Sequence, residues 1–266
     1  MLSFETAQVY AWIGAFFWPF LRILSLLMAA PLFSARQIPT RVRVAFAVVL
    51  TVALAPALPP MPPVAFDATG WLMVVQQLQI GLVMGLAVTL MLSVVQLAGS
   101  IVGLQMGLGF STLLDPAQGT QVASLAVFLN VLALLLFTAL NGHLMMLAVL
   151  ARSFTLVPVG TGPLLGSGAW QMLAAQGGTL FALALAFSAP VLGTLIIANL
   201  GLAVLSKLAP QLNLFNLGFP IFFVLGLLAL YFAMPSLETV VRGLVERGLD
   251  LAQAVMMAGG ASEHGT

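Results

Sequence analysis

The sequence predicts an all-α, membrane-associated bundle of helices. Two charge-free runs carry that reading: no Lys, Arg, Asp or Glu stands between Arg152 and Lys207, or from Ala68 to Leu114. Composition is the third observation, with 62% hydrophobic residues, 6% charged residues and a mean hydropathy of +1.16. A soluble surface needs solvated groups, whereas one charge at mid-bilayer costs about 2.5–3.5 kcal/mol on insertion scales. No segment mixes charged and apolar residues in soluble proportions, so no extramembrane domain is expected.

A spanning helix takes about 20 mostly apolar residues, and six candidates follow in order. The first runs from about Val9 to Ala30. It opens near Glu5 with no basic region, and its run is bulky and aromatic (Trp12, Phe16, Phe17, Trp18, Phe20), so it reads as a membrane helix and not as a cleavable signal peptide. The second, Val44 to Leu58, is short and ends in Pro56, Pro59, Pro60, Pro62 and Pro63, which cannot all be helical. The third starts near Trp71 and passes Val95, and the fourth runs from about Val122 to Leu150. A Gly/Pro/Ser-rich loop covers Val157 to Gly168. The fifth, Thr179 to Leu205, is interrupted by Pro190, and the sixth spans Leu214 to Ala233. From Pro235 the chain is amphipathic to about Met257, and residues 259–266, with Gly259, Gly260 and Gly265, are expected to be a disordered tail.

Basic residues orient such a chain. Arg36, Arg41 and Arg43 place the first connection in the cytoplasm, and Asp67 marks the next as outside. Alternation then leaves Arg152, Arg242 and Arg247 outside, against the positive-inside rule.

Catalytic and metal chemistry lack their residues. No His-Glu-x-x-His and no Gly-x-Ser-x-Gly is present. The absence of cysteine removes disulfides and thiol chemistry. A net charge of +1 argues against nucleic acid, and His143 and His264 have no carboxylates beside them for a metal. His143 reads as a helix-end or packing histidine, with a proton relay as the alternative.

Three constellations remain. Arg22 sits inside the first helix, where an ionisable residue is a functional candidate. It either snorkels or pairs with a carbonyl in an assembly, or it contacts a substrate. The segment from Gly103 through Gln105, Met106, Gly107, Leu108, Gly109, Phe110, Leu113 and Leu114 to Asp115-Pro116 is glycine-loosened yet apolar. Such a segment is either a re-entrant gate or plug buried at membrane depth, or a helix crossing with Gly103 and Gly107 as a G-x-x-x-G pair. After Lys207, Pro210 and Pro220 bracket Gln211, Asn213 and Asn216, the pattern of a helical-hairpin turn that could serve as an assembly contact.

Together these regions resemble the FliR family of flagellar export-gate subunits, related to the SctT subunits of virulence type III secretion. Arg22, Met28, Ala30-Pro31, Ile38-Pro39 and Arg43 stand in the family's order. Gly107, Gly109-Phe110, Asp115-Pro116 and Gly119-Thr120-Gln121 follow, then Asn141-Gly142-His143, Pro190 and the run from Pro210 to Pro220. The likeness covers roughly residues 10–235, and the Asp-Pro…Gly-Thr-Gln run looks more like the flagellar branch. One departure is that some relatives place a Lys just after the proline matching Pro220, where this chain has Ile221, Phe222 and Phe223.

The resemblance implies a non-enzymatic, cofactor-free subunit of a helical hetero-oligomeric gate in the flagellar basal body of the bacterial inner membrane. FliP-like and FliQ-like subunits would be its partners, with FlhB-like and FlhA-like components beside them, and unfolded flagellar proteins would pass through. It implies a FliP-like part over residues 1–170 and a FliQ-like helical hairpin over 171–258. It also implies kinked helices that contact other subunits more than lipid, and a plug formed by the segment matching residues 103–116. Pro31, Pro39, Arg43, Lys207, Pro210, Asn213, Asn216 and Pro220 join Arg22 as expected assembly positions. A secondary transporter or channel is the alternative, since broken helices and a lone arginine also suit one, but the sequence shows no internal repeat. A membrane enzyme would need an acid, base, nucleophile or metal set that is absent.

Overall fold

The computed structural model describes residues 6–35, 37–64, 67–108, 124–160, 166–208 and 214–260. These form seven α-helices and no strand among the described residues: α1 (Thr6–Ala29), α2 (Thr40–Leu54), α3 (Ala68–Gln105), α4 (Ser124–Ala139), α5 (Gly142–Leu156), α6 (Ser167–Leu208) and α7 (Leu214–Gly260). Five stretches are long and apolar enough to cross a membrane, and α4 with α5 makes a sixth if the bent pair counts as one span. The chain is therefore an all-α membrane protein.

Local chemistry sets the ends. Pro39 is extended at the start of α2 and presets the first turn, with its carbonyl accepting from the N–H groups of Val42 and Arg43. A 3-10 turn at Ala55–Ala57 closes that helix where Pro56 removes a donor. Asp67 caps α3: its carboxylate accepts from the Gly70 N–H at 2.9 Å and the Thr69 hydroxyl at 2.6 Å. At the other end the Leu108 N–H reaches the Gly103 carbonyl and the Gly107 N–H reaches Leu104, both at 3.0 Å. With Gly107 at φ 81° this is a Schellman C-cap, which needs a residue that tolerates the left-handed region.

Three expectations change. The fourth candidate span is two helices bent by 63° across Leu140 and Asn141. Asn141 takes φ 57°, the left-handed conformation that Asn tolerates better than most residues, and this ends the straight run. Second, α6 is continuous through Pro190 and begins at Ser167, so neither an interruption at 190 nor a loop reaching Gly168 is present. Third, α7 includes Pro220 and Pro235 and runs on to Gly260. Pro220 therefore does not end a helix, the segment from Pro235 continues the sixth span, and Gly259 and Gly260 belong to the helix. In an apolar setting no water competes for the backbone groups, so the intrahelical bonds on either side of each proline carry the helix through the one bond it removes.

Helices α3, α6 and α7 have 38, 42 and 47 residues. At about 1.5 Å per residue each exceeds the roughly 30 Å hydrocarbon core by a wide margin. The chain packs as two units, one from residues 1–91, 141–177 and 245–266, the other from 92–140 and 178–244. The expected boundary at residue 170 falls in the first turn of α6.

In the first unit the core holds Trp18, Ile23, Leu26, Leu27, Ile80, Met84 and Ala87, all essentially without exposure. Trp18 Nε1 donates to the Pro62 carbonyl at 3.0 Å and so ties the Pro-rich segment to α1. The polar end of α7 lies against α3, where a Cβ on Gly248 would meet Val88 at 3.0 Å. In the second unit α4 crosses α3 at Gly99, where a Cβ would meet Ala126 at 2.8 Å. Met106 is fully buried there and lies over Gly226, whose added Cβ would meet Met106 Cγ at 2.6 Å.

Candidate functional site

Arg22 is fully buried in the first unit. Its Nε donates to Gln77 Oε1 at 2.8 Å, Nη1 to Ser153 Oγ at 3.0 Å and Nη2 to the Val157 carbonyl at 2.9 Å. The guanidinium carbon lies 4.1 Å from the centre of the Phe154 ring, a cation–π contact. No described carboxylate pairs with it, since the described ion pair joins Arg242 and Glu238. Val157 is the C-cap of α5, so the guanidinium sits where the helix dipole is negative. Dipoles, an amide oxygen and an aromatic face thus replace a counter-ion.

Arg22 can reach three elements because two helices approach closely. Gly81 faces Ser25 and the Arg22 carbonyl, and any Cβ there would run into both. At Gly85 a Cβ would meet Ala29 Cβ at 2.7 Å and the Leu26 carbonyl at 2.8 Å. One helical turn on, Thr89 Oγ1 donates to the Ala29 carbonyl at 2.6 Å. Residues 81, 85 and 89 form one stripe, a small-xxx-small contact on which α1 runs parallel to α3. The Ser25 hydroxyl donates to the Arg22 carbonyl at 3.1 Å, and Gln77 Nε2 donates to Gln76 Oε1 at 3.0 Å, completing a buried polar layer.

Of the other expected assembly positions, Arg43 holds the turn between α1 and α2, donating from Nη2 to the Ala35 carbonyl at 2.7 Å. Pro31 is in that turn, where the Ala30 carbonyl accepts from Phe33 and Ser34, and Phe33 stacks on Phe46 at 5.2 Å. Lys207 is exposed in the last turn of α6, placing a cation at the negative end of the helix. Pro220 is exposed within α7, and Asn216 is in its first turn. Pro210, Gln211 and Asn213 lie outside the described residues.

Of the glycine-rich segment, Gly103 and Gln105 close α3, and Met106, Gly107 and Leu108 form its C-cap. Gly109, Phe110, Leu113, Leu114, Asp115 and Pro116 lie outside the described residues. His143 begins α5 just after the bend, and its Nδ1 is buried with no hydrogen-bond partner among the described residues.

Sequence reasoning missed Gln77, Ser153, Gly81 and Gly85. Gly81-Leu-Val-Met-Gly85 was a readable signal, a G-x-x-x-G inside an apolar run. Gln77 and Ser153 gave none, being 55 and 131 residues from Arg22. In the second unit, Pro190 and Thr194 of α6 with Leu225, Leu228 and Phe232 of α7 line an apolar groove of about 520 Å³.

Residues 13–248 match the family described as "Bacterial export proteins, family 1". The chain is 38% identical over 256 residues to the flagellar biosynthetic protein FliR of Pectobacterium carotovorum, covering 96% of this chain and 98% of that one. It is 37% identical to FliR of Escherichia coli, over 88% of this chain and 90% of the relative. FliR of Bacillus subtilis is 28% identical over 93% of this chain and 96% of its own.

Proposed function

We propose a function on the premise that the chain belongs to family 1 of the bacterial export proteins, with FliR proteins of flagellar biosynthesis as its relatives. It is a membrane component of flagellar type III protein export. In our reading it is a structural, non-enzymatic subunit that joins FliP-like and FliQ-like subunits in the export gate of the basal body, at the inner membrane. FlhB-like and FlhA-like components flank that gate, and unfolded flagellar proteins pass through it. The division near residue 170 into FliP-like and FliQ-like parts, and the plug over residues 103–116, belong to the same proposal. The relatives named above are flagellar, which favours that apparatus over a virulence system.

One observation supports the gate reading most. The most apolar window of α7 is only 17% buried by its own chain, and that of α6 only 22%. Phe181, Ile197, Val224, Tyr231 and Phe232 are each at least 60% exposed. Helices this long and this bare need other protein around them, because they exceed one bilayer thickness. Expression of the chain in a strain lacking its own FliR tests the role. Restored motility and secretion of hook and filament proteins is the expected outcome. A non-motile, non-secreting strain that accumulates the chain in its membrane, even with the other gate subunits supplied from the same source, would contradict it.

A further inference from the structure

Helix α5 carries a second arginine beside the buried one. Arg152 precedes Ser153, the residue that holds Arg22 Nη1, but it points from the opposite face and is exposed. Met146, Leu150, Ser153 and Phe154 form the buried face of the helix. On the other face Met145, Ala148, Arg152 and Leu156 recur every three or four residues, one exposed stripe. Met145 is 39% and Leu156 36% exposed, so apolar surface flanks the charge on both sides. No described carboxylate forms an ion pair with Arg152.

A cation on an apolar face either reaches the interface or is held by a counter-charge, and a carboxylate on a docked helix is the stronger anchor. Left unpaired in lipid the cation is costly. The described carboxylates offer no partner. Asp67 is occupied by Thr69 and Gly70, and Glu238 pairs with Arg242. Glu246 and Asp250 share an exposed, mixed-charge stretch of α7 with Arg242 and Arg247, which is not the apolar face that would match this stripe.

We propose that the stripe from Met145 to Leu156 docks an apolar helix of a different subunit of the export complex, and that a carboxylate of that helix pairs with Arg152. Guanidinium and carboxylate match in a bidentate geometry that fixes register as well as attraction. The identity of the complex rests on the gate reading above; the need for a carboxylate rests on Arg152 and its surroundings.

The test uses the complete gate, co-expressed and purified in mild detergent, with a photo-crosslinking residue at position 148. The crosslink is expected on a different subunit, in a peptide that contains Asp or Glu. Arg152→Lys keeps the chain in the complex, whereas Arg152→Glu lowers its recovery by about tenfold or more, since opposed like charges cost several kcal/mol. Changing the crosslinked carboxylate to Lys in the Arg152→Glu background restores recovery, and this arm decides even if Arg152→Glu alone accumulates poorly. A crosslink to lipid only, or to a second copy of this chain, overturns the inference. So does an Arg152→Glu chain recovered at the unaltered level. If the unaltered chain joins no complex at all, the gate reading itself fails.

Discussion

Arg22 and Gln77 stand 55 residues apart in the sequence and 2.8 Å apart in the fold, Nε to Oε1, with both side chains fully buried. The pair joins α1 to α3, and through Ser153 and Val157 the same guanidinium joins both to the end of α5. Gln77→Leu removes an acceptor from a buried cation and should cost about 1.5–3 kcal/mol. Arg22→Met strands the Gln77 and Val157 oxygens, at about 1–3 kcal/mol each. The double variant should cost less than the sum by more than about 0.5 kcal/mol, since each single change already breaks the shared bond. Thermal unfolding in one detergent measures all three; strictly additive losses would show that the bond carries no energy.

The glycines of this chain divide into two kinds. At Gly81 a methyl group would run into the Arg22 carbonyl, which is backbone and cannot swing away. Gly81→Ala should therefore part α1 from α3 and cost about 1–3 kcal/mol or more. At Gly193 nothing lies within 4 Å. In the isolated chain Gly193→Ala should be neutral or stabilising by up to about 1 kcal/mol, the propensity difference within a helix. Equal losses at the two positions would mean that the contact at Gly81 is not a close backbone approach.

Much of the fold was legible because charge and hydropathy report membrane helices directly. Arg22 stood out as the one charge in its apolar run. Its partners did not, because a glutamine and a serine among apolar residues carry no mark of being 2.8 Å and 3.0 Å from a guanidinium. Prolines misled in the other direction. Pro190, Pro220 and Pro235 read as breaks by the rules for water, yet all three sit inside helices. The bend after α4 was written in Asn141-Gly142, a turn dipeptide, but the apolar residues on both sides masked it. What covers the exposed apolar faces of α6 and α7 is a property of surfaces between molecules, which a single sequence does not encode locally.

Asp67 gives the start of α3 a pH dependence of known sign. The Thr69 hydroxyl, then the Gly70 N–H, hold its carboxyl below the usual aspartate range. A carboxyl depressed in the folded state stabilises above its unfolded pKa and loses that contribution as pH falls through the folded one. The first turn of α3 should thus be indifferent to pH near neutrality and fray in acid below the ordinary aspartate range. Hydrogen exchange at the Gly70 amide, corrected for its intrinsic rate, follows this. Asp67→Ala should speed exchange at neutral pH and remove the acid dependence; identical protection in both proteins would rule out the cap.

The proposal as a whole turns on whether the exposed apolar helices are faces for other subunits. The most direct measurement is the native mass of the complex purified through this chain in mild detergent, from cells that also make the FliP-like and FliQ-like subunits. The account predicts one discrete hetero-oligomer that releases this chain and both other subunits on activation, and that loses this chain when its apolar faces on α6 and α7 are made polar. A mass corresponding to this chain alone with bound lipid, under conditions where the other two subunits assemble with each other, would contradict it.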